Sequence, residues 1–501
     1  MTYYLGIDLG GTVVKASVFD RAGVEAGSCG KRTRLISRSA GQAERDVDET
    51  RRLTLEAIGG ALKSAGVKGG DVAAVATTGH GKGVYIVNRD GGFGPGIIST
   101  DTRSIEVSNR FHAHPDFDRQ VYRRTLQPLW PAHTATILVW LKETQRESYD
   151  RIGKIMLAKD LLRFFLTDDV ATERTDVSGT GLWNNVEDRL DLDVLDFLGI
   201  PEIADAIPTV HASHAIAGTV SASAAAATGL SQGTPVVGGL FDVNACALAT
   251  GLQNPDELAA VVGTWSISEF VTRDISAVQA SGERYVIQAH CVPDYWMIHE
   301  ASPTSASNLE WFIGTLLPDI AEEERFDYCN TVVAGTPDSD VTFFPFLFGD
   351  DLGANATGTL WGLRAGTTRD QIIRGIYEGV VFQHARHLNR LLKLVPGPRQ
   401  IRFAGGATRS DVWMQLFADT LGTPVSVSPA TELGALGAAI CAAVGVHDYG
   451  SFADAMSAMT GTRHTFTPVA ARFEELQQKQ QRFDRAVSDM APVWSRYAPS
   501  Q

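Results

Sequence analysis

The chain has 501 residues, 44% hydrophobic and 20% charged, an ordinary globular composition with length for two large domains. Its 44 basic and 58 acidic residues leave a formal net charge of −14, which argues against a nucleic-acid binder. Five scattered cysteines (Cys29, Cys246, Cys291, Cys329, Cys441) form no Cys-x-x-Cys or Cys/His cluster that would hold zinc, and no apolar stretch is long enough to span a bilayer. The sparse, odd cysteine count and the absence of a basic-then-apolar leader point to a cytoplasmic protein.

Residues 5–12 read LGIDLGGT. This predicts a strand, a glycine turn and a second strand over Val13 to Phe19. The turn carries a carboxylate (Asp8), two glycines (Gly10, Gly11), a hydroxyl (Thr12) and, nearby, Lys15. Such a turn can present backbone N–H groups to phosphate oxygens while the carboxylate holds a hydrated magnesium ion. It can equally be a plain hairpin. Helical spacing follows near 48–65 (Leu53, Ala57, Ala61), then a short strand, Val72 to Thr77, ending at Gly79-His80-Gly81. Val84 to Val87 reads as a strand leading into a glycine-rich turn, Asp90 to Gly96. Helices are predicted at 134–143, 155–167 and Ser221 to Thr228. Pro235 to Asp242 reads as a buried strand entering a turn, with a small-residue helix from about Ala245 to Thr250.

The second half repeats this programme. Leu258 to Val262, Gly263-Thr264 and Ile267 to Val271 form another strand–turn–strand unit. Thr368 to Gln371 resembles a capping box opening a long helix. Ile401 to Ala404 is a strand, Gly405-Gly406 its turn, and Ser410 an N-cap for a helix bearing Trp413, Leu416, Phe417 and Leu421. The last helix places Phe473, Leu476, Phe483, Val487 and Met490 on one stripe and is expected to dock on its own chain. Two related α/β domains are expected, 1–250 and 251–501, with the boundary near Gly251 to Pro255. Two glycine hairpins about 250 residues apart suggest two halves closing on one nucleotide.

No G-x-x-x-x-G-K-[ST] stretch exists, so any nucleotide is held another way. Gly405-Gly406 can accept a base or an anion, or can simply allow tight strand–helix packing. Asp242, after an apolar strand and Gly-Gly, can take a proton from an alcohol attacking phosphorus, or contact a metal-bound water, or cap a helix. His80 and Lys82, among glycines at a strand end, suit polyol oxygens; a surface loop competes. Asp101 and Arg103 offer acceptor and donor to a polyhydroxylated ligand, or form a surface ion pair.

These stretches together resemble the FGGY carbohydrate kinases, which belong with actin and hexokinase, over nearly the whole length. LGIDLGGT is similar to the family's first phosphate loop, GGLFD (238–242) to its catalytic-aspartate motif and VVGTW (261–265) to its second phosphate loop. FAGGATRSDVWMQLFADTLG (403–422) is similar to its C-terminal signature. Within the family, GQAERD (41–46), PVVGGLFDV (235–243), HEASPTS (299–305) and IYEGVVFQHARHLNR (376–390) are most similar to L-xylulokinases. Gly79-His80-Gly81-Lys82 departs from the Gln-Met-His group of D-xylulokinases.

The resemblance implies two actin/hexokinase-like (RNase H-like) domains with a cleft between them. It implies ATP-dependent, magnesium-dependent phosphorylation of a ketopentose, L-xylulose or D-xylulose, at its terminal hydroxyl. Asp242 would be the base. Asp8 and Asp242 would hold magnesium. Gly10, Gly11, Thr12, Lys15, Gly263 and Thr264 would bind phosphates, and Gly405, Gly406 and Ser410 would line the adenine pocket. His80, Lys82, Asp101 and Arg103 would orient the sugar. Erythritol, ribulose, glycerol, a 3-keto sugar acid, or a non-kinase actin-like ATPase or sugar sensor are the alternatives. A homodimer is expected, with neither nucleic acid nor membrane as partner.

Overall fold

A computed structural model describes residues 1–263, 265–336, 338–349, 355–395 and 397–497. The chain forms two compact units. The first gathers residues 1–251, 272–298 and 432–460; the second gathers 252–271, 299–431 and 461–501.

In the first unit the opening strand Tyr3–Leu9 pairs antiparallel with Val13–Asp20, which pairs antiparallel with Glu25–Arg32. On its other edge it runs parallel to Val72–Gly79, which also pairs with Pro235–Val237 and Leu240–Phe241. Helix Val47–Ala65 provides the crossover that a parallel pair requires. It is capped by Asp46, whose side chain accepts from Glu49 N, and ends at Gly66 in the left-handed region. Its stripe of Leu53, Ala57, Ile58 and Ala61 packs with Leu5, Ile7, Val14 and Val75 in one core.

Three elements differ from the sequence reading. Residues 155–167 are a strand end, Ile152–Met156, followed by the helix Ala158–Thr167. The glycine-rich turn is confined to Asp90 and its neighbours, because Phe93–Ile97 is a strand. Gly96 stays in that strand because a side chain there would meet the Tyr85 ring. The small-residue helix starts earlier than Ala245, at Asp242. The cause lies at Gly239, with φ +82°, where a Cβ would strike Thr77. That turn breaks the strand after Val237 and leaves Phe241 as the N-cap.

The second unit builds its sheet by the same plan. Glu257–Val262 pairs antiparallel with Ser266–Thr272 and parallel with Gln400–Ala404, which runs parallel to Val425–Val427. The helix Arg369–Leu392 opens with the expected box: Gln371 N donates to Thr368 Oγ1 and Thr368 N to Gln371 Oε1. The last helix, Ala470–Tyr497, docks on its own unit, with the Phe483 ring 5.3 Å from that of Phe344 and 5.7 Å from that of Phe382.

Candidate active site

Asp8 sits near the end of the opening strand, opposite Lys15 on one neighbour and Thr78 on the other. Its Oδ1 is buried without a hydrogen-bond partner. Burial, and then the Glu432 carboxylate, push its carboxyl up to about 6, against the pull of Lys15 and Arg45. The helix Leu433–Gly445 begins against it, and a Cβ at Gly434 would overlap Asp8 Oδ2. The Lys15 ammonium is 2.8 Å from Glu432, so its charge is already balanced.

The glycine turn is shaped by a residue the sequence reading did not single out. Arg45 is 2% exposed, and its Nη2 donates to Gly10 O and Gly11 O, each at 2.5 Å. A trans peptide holds its C=O and N–H antiparallel. Two carbonyls drawn inward to one guanidinium therefore turn the Gly11 and Thr12 N–H groups the other way. Both residues are exposed, and neither N–H has a partner among the described residues. Consecutive outward N–H groups of this kind make an anion cradle.

Arg45 Nη1 also donates to Tyr85 Oη at 3.3 Å, and Tyr85 Oη lies 3.1 Å from His80 Nε2. Arginine is only a donor, so the tyrosine hydroxyl accepts from it and gives its own proton to Nε2. The reverse assignment would leave a buried hydroxyl proton unpaired, at a cost of about 1–3 kcal/mol. His80 is thereby assigned as the Nδ1–H tautomer, with Gly81 O 3.4 Å from that nitrogen. Burial first, and the Arg45 charge second, push its pKa down to about 3, so the ring is neutral.

Lys82 has φ +60° and is 5% exposed, with its ammonium 4.7 Å from the Trp130 ring centre and 4.9 Å from that of Phe241. It makes no hydrogen bond or ion pair among the described residues. Burial pushes its pKa down to about 8, while Asp242 and Asp176 hold it up.

Asp242 is the first residue of the helix Asp242–Thr250, not its cap. It is partly exposed. Desolvation and then the Asp8 charge push its carboxyl up to about 7, against Lys82 and the Val243 N–H. Asp242 thus lies within the electrostatic reach of both Asp8 and Lys82. Phe241 N donates to Thr175 Oγ1 at 2.9 Å, which brings Asp176 to the same place. Both Asp176 carboxylate oxygens are buried without a hydrogen bond, the Lys159 ammonium standing 3.5 Å away. Burial raises its pKa well above the usual carboxylate range.

Asp101 and Arg103 are paired with each other, as the ion-pair alternative has it, but inside the protein. Arg103 Nη2 is 2.8 Å from both Asp101 Oδ2 and Glu44 Oε1. Asp101 also accepts from Ala43 N at 2.7 Å, so it is fully engaged; Arg103 Nη1 remains buried and unpartnered.

In the second unit Gly263 N donates to Trp265 O at 3.3 Å, closing the second hairpin, while Thr264 lies outside the described residues. Gly405 has φ +100°, and a Cβ there would meet Val262 O at 2.6 Å. The turn therefore admits only glycine, and the tight-packing reading holds for it. Gly406 faces open space. The Ser410 hydroxyl accepts from Trp413 N at 3.2 Å and donates to Asn330 Oδ1 at 2.6 Å.

Arg45, Glu432 and Asp176 were missed because their meaning lies in distant partners. The only sequence signal for Arg45 was its place in the GQAERD stretch.

Comparison with known proteins gives a consistent picture. The model of the N-terminal domain of the FGGY family of carbohydrate kinases matches residues 3–249, and that of its C-terminal domain matches 258–446. The chain is 36% identical over 489 residues to the L-xylulose/3-keto-L-gulonate kinase of Escherichia coli K12, covering 97% of each chain. It is also 36% identical over 490 residues to a probable L-xylulose kinase of Pasteurella multocida, covering 97% of this chain and 98% of the other. The crystal structure of xylulose kinase from Rhodospirillum rubrum superposes with a TM-score of 0.86 at 25% identity, over 98% of this chain and 99% of that one.

Proposed function

The chain belongs to the FGGY family of carbohydrate kinases, and from that premise we propose that it moves the γ-phosphoryl group of ATP to the terminal hydroxyl of a ketopentose, L-xylulose before D-xylulose. That it is a sugar kinase with ATP as donor follows from membership of the family. The acceptor and the residue roles are the proposal. Among the described residues no helix is long and apolar enough to cross a membrane.

Asp242 carries the proposal. A carboxyl raised to about 7 is matched to taking a proton near neutral pH, where an ordinary aspartate is a poor base. The sugar hydroxyl gives Asp242 its proton as its oxygen bonds to the γ-phosphorus, and ADP leaves. The Gly11 and Thr12 N–H groups receive phosphate oxygens beside Gly10, with Lys15 at the rim in its ion pair with Glu432. Gly263 and Thr264 supply the second phosphate hairpin, and Gly405, Gly406 and Ser410 the adenine side. His80, as an Nδ1–H donor, and Lys82 orient the sugar, with Arg103 offering its unpartnered Nη1 and Asp101 holding that guanidinium in place.

Asp8 and Asp242 fit a magnesium ion. Asp8 has a buried, unpartnered oxygen, and each carboxyl is raised by a like charge that a divalent cation would neutralise. The ion would screen the phosphate charges, held by one or two carboxylates as magnesium usually is.

A second acceptor class is favoured by Lys82. A buried ammonium with no hydrogen-bond acceptor suits a carboxylate, and one relative is named for 3-keto-L-gulonate. The test is a coupled ADP-release assay over L-xylulose, D-xylulose, ribulose, erythritol, glycerol and 3-keto-L-gulonate, with wild type and Asp242→Asn. We expect L-xylulose to lead, and the variant to lose on the order of 10²–10⁴ in kcat. Undiminished turnover by Asp242→Asn would remove the role given to Asp242. ATP hydrolysis with no phosphosugar would favour the ATPase alternative.

A further inference from the structure

We propose that Arg45 and Tyr85 form a positioning relay between the His80 end of the site and the glycine turn, through which bound sugar tightens nucleotide binding. This rests on the assignment of the turn to phosphates and of His80 to the sugar.

Three side chains, 2%, 0% and 5% exposed, link the two ends by four contacts: Arg45 to Gly10 O and Gly11 O, Arg45 to Tyr85 Oη, and Tyr85 Oη to His80 Nε2. The direction of donation is set along the whole chain, because arginine has no acceptor, the tyrosine hydroxyl has one proton to give, and the Nδ1–H tautomer of His80 leaves Nε2 as the acceptor. Each contact therefore depends on the next. A sugar oxygen that takes the His80 Nδ1 proton makes Nε2 a better acceptor. Tyr85 then gives its proton more fully and becomes a better acceptor for Arg45, as polarised chains do. Holding Arg45 holds the two carbonyls, and peptide planarity converts that into fixed directions for the Gly11 and Thr12 N–H groups. The ordering cost of the phosphate cradle falls when the sugar is already in place, which is positive coupling between two ligands. Nothing in the chemistry of the step requires Tyr85, so its only contribution is through its neighbours.

The experiment measures the dissociation constant of the magnesium salt of a non-hydrolysable ATP analogue, with and without saturating L-xylulose, for wild type, Tyr85→Phe, Arg45→Lys and the double variant. Tyr85→Phe removes one oxygen from a packed ring and keeps its shape. Wild type is expected to bind the analogue at least about 5-fold more tightly with sugar present, the lower end of ordinary coupling. In Tyr85→Phe that ratio should fall below about 2, while binding of the analogue alone changes less; the double variant should lose no more coupling than Arg45→Lys does, since the two act in series. A wild type that turns over L-xylulose with a ratio near 1 overturns the relay. So does a Tyr85→Phe ratio equal to that of wild type, or additive losses in the double variant. If another compound of the panel is the one turned over, it replaces L-xylulose in the measurement; absence of turnover of every compound in the panel overturns the assignment beneath the relay, and the relay with it.

Discussion

At Asp242 the requirements of the proposed base and of a stable fold conflict. Its carboxyl is raised from 3.8 to about 7 by desolvation and then by the Asp8 charge, so the native protein holds this proton more tightly than the unfolded chain does. Below about pH 4 both states carry the proton and nothing is lost. Between about 4 and 7 the unfolded state releases it first, so stability falls as pH rises; above about 7 the full penalty is present. Asp242→Asn removes it. In magnesium-free buffer the variant should melt together with wild type near pH 4 and higher than wild type at pH 8. The gain is on the order of 1–3 kcal/mol, discounted because Asp242 is partly exposed. A melting difference that is the same at both pH values would show that Asp242 is not raised. Activity should run the opposite way, with kcat/KM climbing as pH rises through the pKa of Asp242, which bound magnesium would set lower than in the metal-free protein. Asp242 and Asp8 were legible in the sequence because an acid at the end of an apolar run beside paired glycines is a local arrangement. The state of each acid was not legible. It depends on Lys82, Glu432 and burial, which chain order does not reveal.

The glycine hairpin shows the same division at the scale of an element. Its strands follow from alternation and its turn from Gly10-Gly11, and the structure has them where the sequence places them. What would turn this hairpin into the proposed phosphate cradle is the guanidinium of Arg45 behind it and the start of the helix Leu433–Gly445 beside it. That helix approaches through glycines. Gly6 on the strand faces Ala435 O, Gly434 faces Asp8, and Gly437 faces Ala245, in each case with no room for a Cβ. Gly434→Ala should therefore displace the Asp8 carboxyl rather than unfold the helix, since alanine is the better helix former by about 1 kcal/mol. We expect kcat to drop by at least about tenfold, one pair of misplaced reacting groups, with far-UV circular dichroism unchanged. Wild-type kcat in Gly434→Ala would mean that Asp8 need not hold its place. The reading of composition and spacing predicts no helix there, and small residues mark a close approach without naming the partner.

Over the whole molecule, the first unit is assembled from three separated stretches of chain, and its last one comes 180 residues after the bulk of it ends. All thirteen residues of Leu433–Gly445 are buried. Leu433, Leu436, Ile440 and Val444 among them would together be worth about 6–12 kcal/mol of apolar burial, which is comparable to the entire net stability of a typical domain at about 5–15 kcal/mol. Glu432, at the head of the same stretch, also supplies the ion pair to Lys15. A fragment comprising residues 1–251 contains every strand of the first sheet and both acids, Asp8 and Asp242. It nevertheless lacks the surface against which Gly6 and Asp8 are shaped. Such a fragment should retain much of its secondary structure, bind a hydrophobic dye and show no cooperative melt, as expected when packing is lost and strands persist. Supplying residues 272–298 and 432–460 through flexible linkers should restore a sharp transition, because those two stretches complete the unit. A cooperative melt from residues 1–251 alone, at the temperature of the full chain, would show that the returning helix covers the sheet without holding it.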